Sequence, residues 1–280
     1  MNFKNAMLYT EDFRFVPGAF SVENGKFSNV LGAPQADAVD LHGAYVIPGL
    51  IDVHNHGNSG ADFSDGDYDG LVKMAGYLAK NGVTSFAPAS MTLPYDVLEK
   101  AFATARRLAD EAPEGKAVLR GIQMEGPFFS EKKKGAQNGA YLRDPDFAAF
   151  RKLYEGCGGL VRIIDVAPEL LGACEFVRQA KELCTVSIAH TDADYDAARA
   201  AVEAGVTHLT HLFNAMPPLH HRKPGVIGAA AEAEQVTAEL ITDGQHIHPS
   251  AVRLAFRLFG PERMVIISDA LRCCGMPDGE

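Results

Sequence analysis

The sequence predicts an α/β chain folded as a (β/α)8 TIM-like barrel, and two observations carry that reading. Eight short apolar runs alternate with segments of helical period, the pattern of parallel strands joined by crossover helices. An open doubly wound sheet usually has fewer strands and wants a glycine-rich phosphate turn after its first strand, and no such turn follows here.

The apolar runs are VIPGLIDV (46–53), VTSFAPAS (83–90), AVLRGIQM (117–124), VRIIDVA (161–167), CTVSIA (184–189), THLTHLF (207–213), TAELIT (237–242) and MVIISD (264–269). Helical spacing marks 67–82, closed by Asn81-Gly82, and 94–110, opened by Pro94. It also marks 169–182, 192–205 and 249–260. Residues 1–45 read as strands without partners, with turn signals at Pro17-Gly18 and Asn24-Gly25, so the chain divides into 1–45 and a barrel over 46–280. The sequence stops at Glu280, just after the eighth strand, with no room for an eighth helix. Together with the unpartnered strands, this suggests a piece of a longer protein, truncated after strand eight.

Composition narrows the function. At 47% hydrophobic and 22% charged, the 280 residues can build a large core. A net charge of −10 disfavours nucleic acid or an anionic membrane as partner, since either wants a basic face. No apolar run approaches the roughly 20 residues that span a bilayer. The first residues lack the basic and apolar regions of a signal peptide, which points to a cytoplasmic protein. Five scattered cysteines with no Cys-x-x-Cys spacing argue against both a disulfide framework and a thiolate zinc site.

A barrel gathers its functional groups at the C-terminal ends of its strands. Here those ends are polar: His54 and His56 at strand one, Glu125 at three, His190 at five, His211 at six, Asp243 with His246 at seven, and Asp269 at eight. Residues i and i+2 of a strand share a face, so His54 and His56 are placed to bind one cation together. A hydrogen-bonded histidine pair is the plainer alternative, and it weakens once other strands of the same barrel end in ligand types. Imidazole and carboxylate without thiolate favour Zn²⁺, with Fe²⁺, Mn²⁺ or Co²⁺ as alternatives. Asp269 suits either a ligand or a general base beside an activated water, and no clear helix follows for it to cap. His208, three residues before His211, is expected to point away and be structural. His220-His221 with Arg222-Lys223 form a basic loop patch for which simple solvation is an equal reading.

The strings PGLIDVHNHG (48–57), QMEGPFFSEKKKGAQN (123–138), AHT (189–191), THLFNAM (210–216), DGQHIHP (243–249) and SDA (268–270) resemble the N-acetylglucosamine-6-phosphate deacetylases of the amidohydrolase superfamily. The resemblance covers nearly the whole chain. The first string is common to the superfamily, whereas the EGPF, THLFNAM and DG-x-H elements together are specific to the deacetylases.

The resemblance implies a barrel of the metal-dependent hydrolase type beside a small β-sandwich drawn from both chain ends, so that 1–45 would be the sandwich's N-terminal part. It implies Glu125, His190 and His211 as the main metal ligands, and His54 and His56 as a second position, giving one or two ions per subunit. Strand four ends without the lysine that many superfamily relatives carbamylate, and Glu125 would supply the carboxylate instead. Asp269 matches the general acid/base. Asn214 and Ala215, through backbone amides, with Arg222 and His246, match the groups that hold a sugar phosphate, the arginine reaching across a homodimer interface. Gln137 stands where many members have histidine, able to hydrogen-bond a sugar hydroxyl but not to carry charge.

The implied activity is metal-assisted hydrolysis of an acetamide, with Asp269 taking a proton from water and delivering it to the leaving amine. The alternatives are another N-acyl substrate, such as N-acetylgalactosamine 6-phosphate, and a non-catalytic relative of the same fold. The latter usually lacks ligands that are all present here.

Overall fold

The structure is a computed structural model that describes residues 1–279. It contains two compact units, Met1–Leu50 and the chain from Ile51 onward. In the first, β1 (Asn2–Tyr9) pairs antiparallel with β2 (Phe15–Glu23), which pairs antiparallel with β3 (Lys26–Ser28). The hairpin between β2 and β3 turns on Asn24 and Gly25, whose φ angles of 51° and 72° need residues that tolerate the left-handed region. Short strands β4 (Val39–Asp40) and β5 (Tyr45–Val46) run parallel to β1. Pro17-Gly18 is not a turn: it lies inside β2, opposite Ala6 and Met7 of β1. The proline is tolerated because β3 pairs only with Ser21–Glu23 of β2, which leaves Pro17 on a free edge. The chain reverses instead at Thr10–Arg14.

The second unit carries the parallel strands. Strand β6 (Leu50–Asn55) begins four residues later than the apolar run suggested, because Tyr45–Val46 joins β1. A short hairpin of β7 (Gly57–Asn58) and β8 (Ala61–Asp62) follows, then β9 (Val83–Pro88), which pairs with β10 (Val118–Leu119). Next come β11 (Ile122–Phe128), β12 (Val161–Val166), β13 (Thr185–Ile188), β14 (His208–Leu209), β15 (Thr237–Ile241) and β16 (Met264–Ile267), with β12 through β16 each pairing parallel to the one before it.

The expected third strand is thus split into β10 and β11. The two sheets meet at a parallel bridge between Ala89 and Gln123. The barrel closes where the Asp269 amide donates to the His54 carbonyl at 2.9 Å and the His56 amide to the Ala270 carbonyl at 2.8 Å.

The connecting helices are α1 (Tyr68–Lys80), α2 (Tyr95–Glu111), α3 (Phe147–Gly156), α4 (Ala173–Ala180), α5 (Tyr195–Ala204), α6 (Gly225–Glu232) and α7 (Pro249–Phe259). Asp67, Asp146 and Asp194 cap α1, α3 and α5 by accepting from the amides of Gly70, Ala149 and Ala197. Helix α4 is shorter than the apolar spacing implied, because Gly172 sits at φ 81° and the helix starts only after it. Helices α3 and α6 were not foreseen. α6, GVIGAAAE, is alanine- and glycine-rich and buried on most sides, which erases the amphipathic stripe.

Along β11 to β15, alternate residues face opposite sides. Ile122, Met124, Ile164, Val166, Val186, Ile188, Leu209, Ala238 and Leu240 join the hydrophobic core under the helices. Between them stand Gln123, Glu125, Asp165, Ser187, His208 and Glu239, all buried and polar. Among the described residues no helix is long and apolar enough to cross a membrane.

Candidate metal centre

The residues expected at the strand ends converge. The Nε2 atoms of His54 and His56 lie 3.3 Å apart, and those of His190 and His211 lie 3.2 Å apart. Glu125 stands between the pairs. Its Oε1 is 3.1 Å from both His190 Nε2 and His211 Nε2 and 3.7 Å from His54 Nε2, while its Oε2 is 3.5 Å from His56 Nε2. Asp269 Oδ1 closes the ring at 3.3 Å from His56 Nε2 and 3.6 Å from His54 Nε2. Two overlapping triads result, His54/His56/Glu125 and Glu125/His190/His211, and every residue in them is buried.

The outer hydrogen bonds fix the chemistry inside. His54 Nδ1 is 2.9 Å from Glu239 Oε2, His56 Nδ1 is 3.1 Å from the Ala89 carbonyl, and His190 Nδ1 is 2.9 Å from the Lys133 carbonyl. Those oxygens only accept, so each Nδ1 must carry the proton, and a neutral ring then aims its Nε2 lone pair at the centre. Three lone pairs and a carboxylate that face one another repel unless protons or a cation sit between them. Nitrogen and carboxylate donors without sulfur fit a borderline divalent cation.

Without a cation, protons take that place. Burial works to raise the pKa of Glu125, but hydrogen bonds from His190 and His211 hold it well below the carboxylate range. Burial would depress His54, yet Glu239, Glu125 and Asp269 lift it well above its ordinary value. The pocket thus favours positive charge.

Sequence reasoning missed Glu239. It lies in the apolar run TAELIT, fully buried, bonded to His54 on one oxygen and to His208 Nε2 at 3.1 Å on the other. Burial acts to raise its pKa, and the charge on His54 with the bonds from both histidines overrides that, keeping it ionised. His208 therefore faces the barrel interior beneath the triads, not away from them, with Nδ1 2.6 Å from Thr237 Oγ1. Asp52, also unforeseen, accepts from Ser268 Oγ at 2.6 Å and so ties β6 to the chain just before Asp269. The available signal for both residues was a lone carboxylate inside an apolar strand.

Strain marks the same places. His190, His211 and Asp269 have φ angles of 44°, 34° and 47°, a left-handed conformation that non-glycine residues seldom adopt and that concentrates at functional sites.

A cavity of about 500 Å³ opens beside the centre, lined by Glu125, Asp269, Asn214, Ala215, His246 and Gln137 among others. His246 is exposed, its Nδ1 held 2.8 Å from Asp243 Oδ2. Gln137 is occupied: its Nε2 donates to Glu125 Oε2 at 2.6 Å and its Oε1 accepts from the Thr92 amide at 2.7 Å. A sugar hydroxyl could meet only what those bonds leave over. Arg222 does not join this cavity. It is exposed and lines another, of about 590 Å³, with Lys223, Asp192 and Asp194.

A barrel with histidine and carboxylate donors at its strand ends is the architecture of metal-dependent hydrolases, and residues 45–273 match the amidohydrolase family. The chain belongs to that family, and to its N-acetylglucosamine-6-phosphate deacetylase branch. The Bacillus subtilis N-acetylglucosamine-6-phosphate deacetylase is 38% identical over 99% of this chain and 72% of its own length. An N-acetylgalactosamine-6-phosphate deacetylase of Escherichia coli O157:H7 is 36% identical over 83% of this chain and 61% of its own. A mutant of the Mycobacterium smegmatis N-acetyl-D-glucosamine-6-phosphate deacetylase, in complex with N-acetyl-D-glucosamine-6-phosphate, aligns at TM-score 0.90 and 32% identity. It covers 97% of this chain and 71% of that one.

Proposed function

We propose that the chain hydrolyses the N-acetyl group of N-acetylglucosamine 6-phosphate, releasing glucosamine 6-phosphate and acetate. The observation that carries this reading is the meeting of both His/Glu triads and Asp269 at the wall of one cavity. Zn²⁺ is the proposed cation, with Fe²⁺, Mn²⁺ or Co²⁺ as alternatives and one or two ions per chain. When bound, such a cation supplies Lewis acidity, making water a better nucleophile and stabilising negative charge on a carbonyl oxygen.

Asp269 moves the proton. With the strand-one histidines protonated, the hydrogen bond from His56 and the charge of both outweigh burial and keep its pKa lowered; a cation held by those rings would act in the same direction, leaving the carboxylate ionised and able to accept. It takes one proton from the attacking water and hands it to the nitrogen as the C–N bond breaks, because an amine leaves poorly as an anion. His246 and the backbone at Asn214 and Ala215 hold the phosphosugar in the cavity. Arg222, exposed and outside this cavity, supports a homodimer in which it grips a phosphate in the neighbouring subunit's site.

The galactosamine epimer is the second reading, supported by the likeness to the Escherichia coli relative. Acetate release is to be measured on both 6-phosphates and on unphosphorylated N-acetylglucosamine, with metal content determined on the same sample. Preference for N-acetylglucosamine 6-phosphate is the expected result. Turnover indifferent to the phosphate would overturn the phosphosugar reading, and faster turnover of the galactosamine epimer would replace the first reading by the second.

A further inference from the structure

Glu125 belongs to both triads, but its two oxygens are not equally free. Oε1 faces His190 and His211 at 3.1 Å each, with no other partner as close. Oε2, the oxygen nearer to His56 at 3.5 Å, already accepts from Gln137 Nε2 at 2.6 Å. Gln137 is itself fixed, since its Oε1 accepts from the Thr92 amide and the residue is only 4% exposed. The amide therefore cannot flip without losing both bonds: the carbonyl end would face a carboxylate and the NH₂ end a backbone N–H.

We propose that Gln137 is a positioning residue that ranks the two cation sites. By holding Oε2 it commits Oε1 to the His190/His211 site, which fills first, and weakens the donor set of the His54/His56 site, which fills second. A donor to one carboxylate oxygen both orients the group and draws electron density from the oxygen it binds, and removing such a partner typically changes metal affinity by about 10- to 100-fold. A histidine at this position would offer an imidazole, and nothing in that ring can donate to Glu125 and also accept from Thr92 unless its tautomer is fixed. Glutamine does both in one planar group. The proposal rests on reading the triads as cation sites.

The test is a titration of the metal-stripped chain with Zn²⁺, followed by calorimetry and by metal content after gel filtration. Wild type is expected to show a tight first equivalent and a separately resolved, weaker second. Gln137→Met, similar in volume but unable to donate, is expected to bring the two dissociation constants together by about 10- to 100-fold. Gln137→Leu, likewise without a donor and differently shaped, removes the same bond to Glu125 in a second packing. It is expected to narrow the same gap, which keeps the test decisive should the methionine variant misfold. An unchanged ratio in either folded variant overturns the role of Gln137. Wild type that retains no Zn²⁺ would instead remove the cation reading beneath it.

Discussion

The two faces of the barrel wall are made by the same strands and serve opposite ends. On the outer face of β11 to β15, side chains such as Ile122, Ile164, Val186 and Leu240 are buried against the helices and join one hydrophobic cluster. On the inner face of the same strands, Gln123, Asp165, Ser187, His208 and Glu239 are just as buried and are bonded to one another, to Thr210 or to His54. TIM barrels ordinarily fill that interior with branched apolar residues. Here the inner face gives up apolar burial so that Glu239 can hold the His54 ring and the His211 amide in place, and stability falls to the outer face. The comparison teaches that the two properties should be separable by mutation.

The largest effect is expected at the rim. Asp269→Asn keeps the shape but cannot accept a proton, so turnover should fall by about 10²- to 10⁴-fold, the usual contribution of a positioned acid/base. Metal content and thermal midpoint should stay near wild type. Near-normal acetate release from the variant would remove Asp269 from the chemistry. Loss of metal along with activity would make it a ligand instead.

On the outer face, Phe150 of α3 is fully buried and meets Phe147, Tyr154 and Phe176 edge-on or tilted. Phe150→Ala should cost about 3–5 kcal/mol, the lost transfer energy plus the cavity left behind. The readout is a lower denaturant midpoint at an unchanged m-value, with metal content per folded molecule unaltered. A parallel loss of metal from the folded fraction would show that the two faces are coupled.

How much of this division could be read in advance follows from what each residue signals locally. His54, His56, His190, His211 and Asp269 were legible because a polar residue at the end of an apolar run is conspicuous, and a barrel brings strand ends together. Glu239 and Asp165 were not, because one sequence shows only that they interrupt apolar strands and not which face they occupy. The facing becomes definite only when the strands close. The positive φ angles of His190, His211 and Asp269 were equally hidden, since no glycine stands there to announce them. The capped helix α3 does carry a local signal, in Asp146 and the stripe from Phe147 to Tyr154, whereas α6 carries none.

The smallest effect is expected deepest in the inner face. Asp165 is fully buried, accepting from Thr210 Oγ1 at 2.8 Å and from Gln123 Nε2 at 3.1 Å. Burial, followed by the nearby charges of Glu239 and Glu125, pushes its pKa well above the usual range, so it is held neutral where an ordinary carboxylate has ionised. A carboxyl raised in the folded state binds its proton more tightly there than in the unfolded chain. From the unfolded value near 3.9 upward, the native state then holds more protons and stability falls with rising pH until the folded group also ionises. Asp165→Asn mimics the neutral acid and removes that dependence. In the metal-stripped protein at neutral pH the variant should be as stable as wild type or more so, and the difference should close as pH drops toward 4. The measurement is the denaturant midpoint of both proteins across that range. A variant less stable at neutral pH than at pH 4, relative to wild type, would mean that Asp165 works as a carboxylate, and that the inner face carries one more negative charge than its neighbours now balance.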